Sequence, residues 1–158
     1  YTHAAVWTVM AYAKMKNAAR TWDLLQMLNP VNHGKDEEGI ELYKTEPYVL
    51  AADVYGVDPH TGRGGWTWYT GSAGWYYQLM IESLMGLHVE NDKLFLTPCI
   101  PPHWNDFKMQ YRYKDTVYEI QYKRQGDETR ITVDGNTLQD KCVSLQDDKK
   151  THSIIYYF

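Results

Sequence analysis

A chain of 158 residues with 44% apolar and 15% aromatic content is long enough for one domain or slightly more, with a real core. Its net charge of -4 excludes a general attraction for nucleic acid, and the absence of any run of about 18 apolar residues excludes a membrane span within it. Two cysteines and six histidines, none at metal-ligand spacing, exclude a disulfide framework and leave no metal site to expect, so both thiols are expected reduced in a cytoplasmic setting.

From Thr2 to Met15, Ala4, Trp7, Ala11 and Met15 recur at helical spacing, with Val6 and Met10 beside them and Thr2 placed to cap. A second helix is predicted over 18–28 and closed by Asn29-Pro30. Residues 30–45 show turn formers and no period, and the acidic run Asp36-Glu37-Glu38 is expected to be solvated. Pro47 suits a first helical position, which predicts a short helix through Tyr55. Residues 56–65 form a Gly/Pro-rich loop, followed by a helix over 72–85 that Gly86 would end. After Gly86 the period changes to short alternating segments, with hairpin turns predicted at "QGDET" and "VDGN". "LTPCIPPHWNDF" reads as a rigid crossover, and Tyr111, Tyr113, Tyr118 and Tyr122 as sheet-face packing. The chain is therefore α+β, with helices over 1–87 and strands over 88–158. The few mismatched helices read as part of a larger helical array, and the opening, which has no initiator Met, as a piece of a longer protein.

One stretch concentrates chemistry: "GRGGWTWYTGSAGWYY", residues 62–77. Thr70, Gly71 and Ser72 stand where a loop becomes a helix, and the first amides of a helix lack internal partners and lie at its positive end. Free amides, a hydroxyl and a glycine suit an anion such as phosphate; alternatively Thr70 or Ser72 only caps its own helix. Trp66, Trp68 and Tyr69 are flat rings with polar tips, suited to sugar rings or to a core, whereas Trp75 is expected in the core. His3 is either a structural residue or a donor to an anion near a helix end. Arg63 has a fork suited to phosphate or carboxylate, or is a solvated loop charge. On a helix, Glu46 and Asp53 would share one face about two turns, roughly 10 Å, apart. Neither is marked as an acid, and Glu46 could start a helix or bind a sugar hydroxyl.

Five blocks in one order, "YTHAAVW", "MLNPVNH", "YKTEPYVLAADVY", "HTGRGGWTWYTGSAGWYY" and "LTPCIPPHW", resemble the C-terminal part of glycoside hydrolase family 94 over about residues 1–104. These are inverting β-glucoside phosphorylases, and the wording is most similar to the branch containing cyclic β-1,2-glucan synthases and 1,2-β-oligoglucan phosphorylases. The resemblance implies the terminal helices of an (α/α)6 barrel followed by an antiparallel β-sandwich. It implies phosphate held by His3, Thr70 and Gly71, with Glu46, Arg63, Trp66, Trp68 and Tyr69 on the substrate side. The resemblance places the catalytic acid upstream of this chain; "RTWDLL" around Asp23 does not match its motif, so no catalytic residue is assigned here. Inorganic phosphate would be co-substrate, with no cofactor or metal. The expected partners are a β-glucan oligosaccharide and the rest of the parent barrel, with a homo-oligomer left open. The expected location is the cytoplasmic face, in a parent held at the inner membrane. The alternative is a non-catalytic module that binds carbohydrate or caps the barrel.

Overall fold

The computed structural model describes residues 1–68, 70–126 and 128–158, which divide into two compact units, Tyr1–Leu84 and Met85–Phe158. No described helix is long and apolar enough to cross a membrane.

The first unit is helical. Helix α1, Thr2–Lys14, covers the predicted segment but turns a different face inward: Thr2, Val6, Val9 and Ala13 are buried, while Trp7 and Met15 are exposed. Apolar residues lie on both sides of this helix, so spacing alone could not choose between them. Thr2 does not cap; its amide donates to Ala52 O at 2.8 Å. Helix α2, Ala18–Leu28, is capped by Asn17, whose side chain accepts from the Arg20 amide. Asn29 closes it and opens α3, Pro30–His33, by accepting from the Val31 amide, with Pro30 at the first helical position.

Residues 30–45, predicted irregular, thus hold α3 and also α4, Glu37–Tyr43. Asp36 accepts from the Gly39 amide, and Glu37 and Glu38 lie in the first turn, where the helix dipole favours carboxylates. The acidic run is exposed, as expected, and it also starts a helix. The helix predicted after Pro47 is absent. Instead Tyr55 N donates to Arg63 O, Gly65 N to Asp53 O and Ala52 N to Trp66 O, with a bridge between Val54 and Gly64. This pairing gives the segment extended partners that a helix would have denied it. At Gly65 a Cβ would meet the carboxylate end of the Asp53 side chain.

Helix α5, Thr70–Gln78, begins two residues earlier than predicted and continues as a π-helical segment, Leu79–Leu84. Val6, Val9, Leu25, Leu79 and Leu84 form the core of this unit, with Trp22, Trp75, Tyr76 and Met80 packed against it.

The second unit holds β1 (Leu87–Glu90), β2 (Lys93–Leu96), β3 (Asp106–Tyr113), β4 (Thr116–Lys123), β5 (Arg130–Val133), β6 (Asn136–Thr137), β7 (Cys142–Ser144) and β8 (Thr151–Tyr157). They make a three-stranded sheet, β1-β2-β7, and a five-stranded sheet, β3-β4-β8-β5-β6. Asp134 and Gly135 both take positive φ and close the β5–β6 hairpin predicted at "VDGN". Asp127 in "QGDET" lies outside the described residues, and the flanking strands β4 and β5 do not pair with each other because β8 inserts between them. That insertion pairs β4 with β8 in parallel, so the larger sheet is mixed and not purely antiparallel as expected. Alternation along β4 buries Thr116, Tyr118, Ile120 and Tyr122. Cys99 and Cys142 are not joined by a disulfide.

Candidate active site

The turn into α5 meets the first turn of α1. Gly71 faces His3: a Cβ on Gly71 would stand 3.6 Å from both Cε1 and Nδ1 of the imidazole. The His3 ring is held by the edge of Trp7 at 4.7 Å between centroids, by Trp75 at 5.9 Å and by Tyr1 stacked at 5.9 Å. Its Nε2 is buried with no hydrogen-bond partner among the described residues, and the same holds for the fully buried Ser72 Oγ. Ser72 therefore does not cap α5. Unmatched buried polar atoms are uncommon and costly. Here they lie beside the amide-rich, positive end of a helix, which is the arrangement that accepts an anion.

Next to this turn is a cleft of about 410 Å³, a size suited to a small ligand, lined in part by Asn29, Tyr48, Trp68, Thr70, Tyr76 and Tyr77. Tyr48, Trp68 and Tyr77 are exposed, so their ring faces are available. Trp68 has φ +62, a left-handed backbone that bulky residues rarely adopt. Its indole Nε1 donates to Glu46 Oε1 at 3.0 Å, and its ring meets Tyr48 edge-on at 6.1 Å. Glu46 is held below the ordinary carboxylate range, first by its own backbone amide, then by the Trp68 indole. It is anionic at neutral pH and unsuited to donate a proton. Tyr76 spans core and cleft; its hydroxyl donates to Leu25 O at 3.4 Å, and burial pushes it up to about 12.

The fold thus brings His3 to Gly71, and Glu46 to Trp68, with Trp68 and Thr70 on one cleft. Arg63 and Trp66 are exposed and are not among the described residues that line this cleft; their carbonyls accept from the Tyr55 and Ala52 amides. Tyr69 lies outside the described residues. Glu46 and Asp53 do not share a helical face, since no helix forms there. Tyr48 and Tyr77 are exposed cleft aromatics that pattern did not single out. Tyr48 stood inside the supposed helix, and Tyr77 was indistinguishable from the core-facing Tyr76. Among the described residues no group of three His, Cys, Asp or Glu could hold a metal ion.

Residues 1–86 match the model of the glycosyl hydrolase 94 superfamily, catalytic domain. The chain is 44% identical over 124 residues to the cyclic beta-(1,2)-glucan synthase NdvB of Rhizobium meliloti, covering 78% of this chain and 4% of that protein. It is 30% identical over 121 residues to the N,N'-diacetylchitobiose phosphorylase of Vibrio furnissii, covering 76% of this chain and 15% of that one. A 1,2-beta-oligoglucan phosphorylase of Listeria innocua is 22% identical over 149 residues, covering 85% of this chain and 14% of its own length. The chain thus spans only a small part of the length of the curated relatives it matches.

Proposed function

The chain belongs to the glycosyl hydrolase 94 superfamily, and we propose from that premise that it supplies the phosphate-holding and sugar-stacking part of an inverting β-glucan phosphorylase site, acting on β-1,2-linked glucan within a larger parent. The observation that carries this is the buried His3 Nε2, without a hydrogen-bond partner among the described residues, on a ring set against Gly71 at the start of α5. The linkage follows the relatives that are a cyclic beta-(1,2)-glucan synthase and a 1,2-beta-oligoglucan phosphorylase.

The mechanism has a simple electrostatic logic. An inverting hydrolase needs a base to activate water and an acid for the leaving oxygen. Phosphate is already anionic, so it needs positioning in place of a base. The α5 amides, the Thr70 hydroxyl and the His3 ring N–H hold it. One phosphate oxygen attacks the anomeric carbon as the glycosidic bond breaks. The sugar leaves as α-glucose 1-phosphate, and the shortened glucan takes a proton from a carboxylic acid supplied by another part of the parent. Trp68, Tyr48 and Tyr77 offer faces against which the apolar side of a glucose ring can lie. The exposed Trp7, Met15 and Met27 fit a helical unit that is completed by further helices of the parent.

In the full-length parent, His3→Ala and Thr70→Val should each raise the KM for phosphate by about tenfold or more, while melting temperature stays close to wild type. Normal phosphate dependence in both variants would remove the assignment. A second reading, a glucan-binding module without chemistry, rests on the open aromatic cleft. It would prevail if the parent bound β-1,2-glucooligosaccharides in a titration yet released no glucose 1-phosphate.

A further inference from the structure

Glu46 stands at the edge of the cleft, at the start of the irregular segment that follows α4. Sequence pattern offers it as a helix start or as a hydrogen-bond acceptor for a sugar hydroxyl. The geometry gives it other work. One carboxylate oxygen, Oε1, is taken by the Trp68 indole at 3.0 Å, a link between two segments 22 residues apart in the chain. The Glu46 backbone amide and Thr67 also favour the charged carboxylate. Trp68 needs such a hold. Its backbone is at φ +62, a conformation that persists in a bulky residue only where the surroundings over-determine it. Two-thirds of its surface is open to solvent, so packing does not supply the hold. What does is the Glu46 acceptor on the indole N–H and the Tyr48 edge at 6.1 Å. Trp68 stands only two residues before Thr70, and both line the same cleft. A ring fixed there is fixed relative to the anion seat as well.

We propose that Glu46 is a positioning residue: it holds the Trp68 indole as a preformed sugar platform on the wall of the cleft and neither touches the glucan nor moves a proton. This rests on the phosphorylase reading for the identity of the occupant. A preorganised platform loses less side-chain freedom when sugar arrives, so the benefit falls on glucan binding and not on the chemical step.

The test is a double-mutant cycle in the full-length parent, with β-1,2-glucooligosaccharides and inorganic phosphate as substrates. Glu46→Ala and Trp68→Phe should each raise the KM for glucan about fivefold, with the KM for phosphate changed less than about twofold. Adding Glu46→Ala to Trp68→Phe should change nothing more, because the indole donor is already gone. Glu46→Gln keeps an oxygen for the indole and should restore the glucan KM. A further rise on the Trp68→Phe background would mean that Glu46 meets the sugar directly and would overturn the proposal. So would a loss of kcat in Glu46→Gln with an unchanged glucan KM. A parent that cleaves no glucan with phosphate would refute the phosphorylase reading alone. In that case Trp68 emission, taken as wild type minus Trp68→Phe, reads the positioning without substrate. A shift of that emission in Glu46→Ala but not in Glu46→Gln supports the proposal, and unchanged emission in Glu46→Ala overturns it.

Discussion

Gly71 can separate fold from chemistry at this site. A methyl group there would make ordinary contact, 3.6 Å, with the His3 ring, so the helix start survives. The same methyl points at the imidazole, against which the phosphate is proposed to sit. Gly71→Ala in the parent should therefore leave the melting temperature within about 2 °C of wild type and raise the KM for phosphate about tenfold. An unchanged phosphate KM would mean that the anion binds elsewhere. His3, Thr70, Gly71, Glu46 and Trp68 could all be named from local pattern and family resemblance. That His3 meets Gly71, that Trp68 donates to Glu46, and that Tyr48 joins the cleft could not. Those contacts join segments well separated along the chain.

At the level of elements, helices and strands were legible where short-range signals were strong, and faces were not. Helix α1 carries apolar residues on both sides; the valines went inward because α2 and the π-helical segment present Leu25, Leu79 and Leu84 to them. Leu79 has no exposed surface, so Leu79→Ala should destabilise the helical unit by about 2–5 kcal/mol in denaturant titration. The segment after Pro47 failed as a helix because the glycine loop beyond it offers extended hydrogen bonds. In the β unit, the insertion of β8 brings His152 between two carboxylates. Its Nδ1 lies 2.7 Å from Asp134 Oδ2 and its Nε2 3.2 Å from Asp148 Oδ1, with Tyr118 stacked on the ring and Lys150 paired to Asp148. Only the protonated ring donates at both nitrogens.

The hydrogen bond to Asp134 is the main reason that the His152 pKa is raised above 6.5. The hydrogen bond from His152 is likewise the main reason that Asp134 is lowered. Desolvation pushes Asp148 up, but the Lys150 amide, His152 and the Lys150 ammonium outweigh it and hold it at about 2. A raised histidine pKa gives stability that is fully present below the unfolded value and is lost as pH rises through the folded one; lowered carboxylates give stability that is lost as pH falls. The clamp is thus strongest from about pH 4 to about 6.5 and weakens as pH rises through the raised His152 value. Amide exchange at the Asp134–Asn136 turn and at 147–150 should speed up above that window, after correction for intrinsic exchange. His152→Gln should flatten the dependence; an equally steep profile in that variant would exclude the clamp.

At the scale of the whole molecule, the 158 residues form two compact units, and the chain spans a small part of its curated relatives. The helical unit carries the aromatic cleft and the proposed anion seat, and the proposed mechanism takes its proton from elsewhere in the parent. The isolated chain should therefore release no glucose 1-phosphate from β-1,2-glucooligosaccharides and phosphate, while the parent does. Turnover by the 158 residues alone would show that an acid lies within them. Composition, spacing and five ordered blocks were enough to determine the α+β class, the switch from helix to strand after Gly86, the family, and the residues worth testing. Each rests on signals carried by neighbouring residues. Only the tertiary structure decided which face of α1 is buried, that β8 pairs in parallel with β4, that the segment after Pro47 is extended, and that His3 closes on Gly71 while Glu46 closes on Trp68. These outcomes turn on hydrogen bonds and packing between distant segments, where several partners satisfy the same local pattern and burial selects among them.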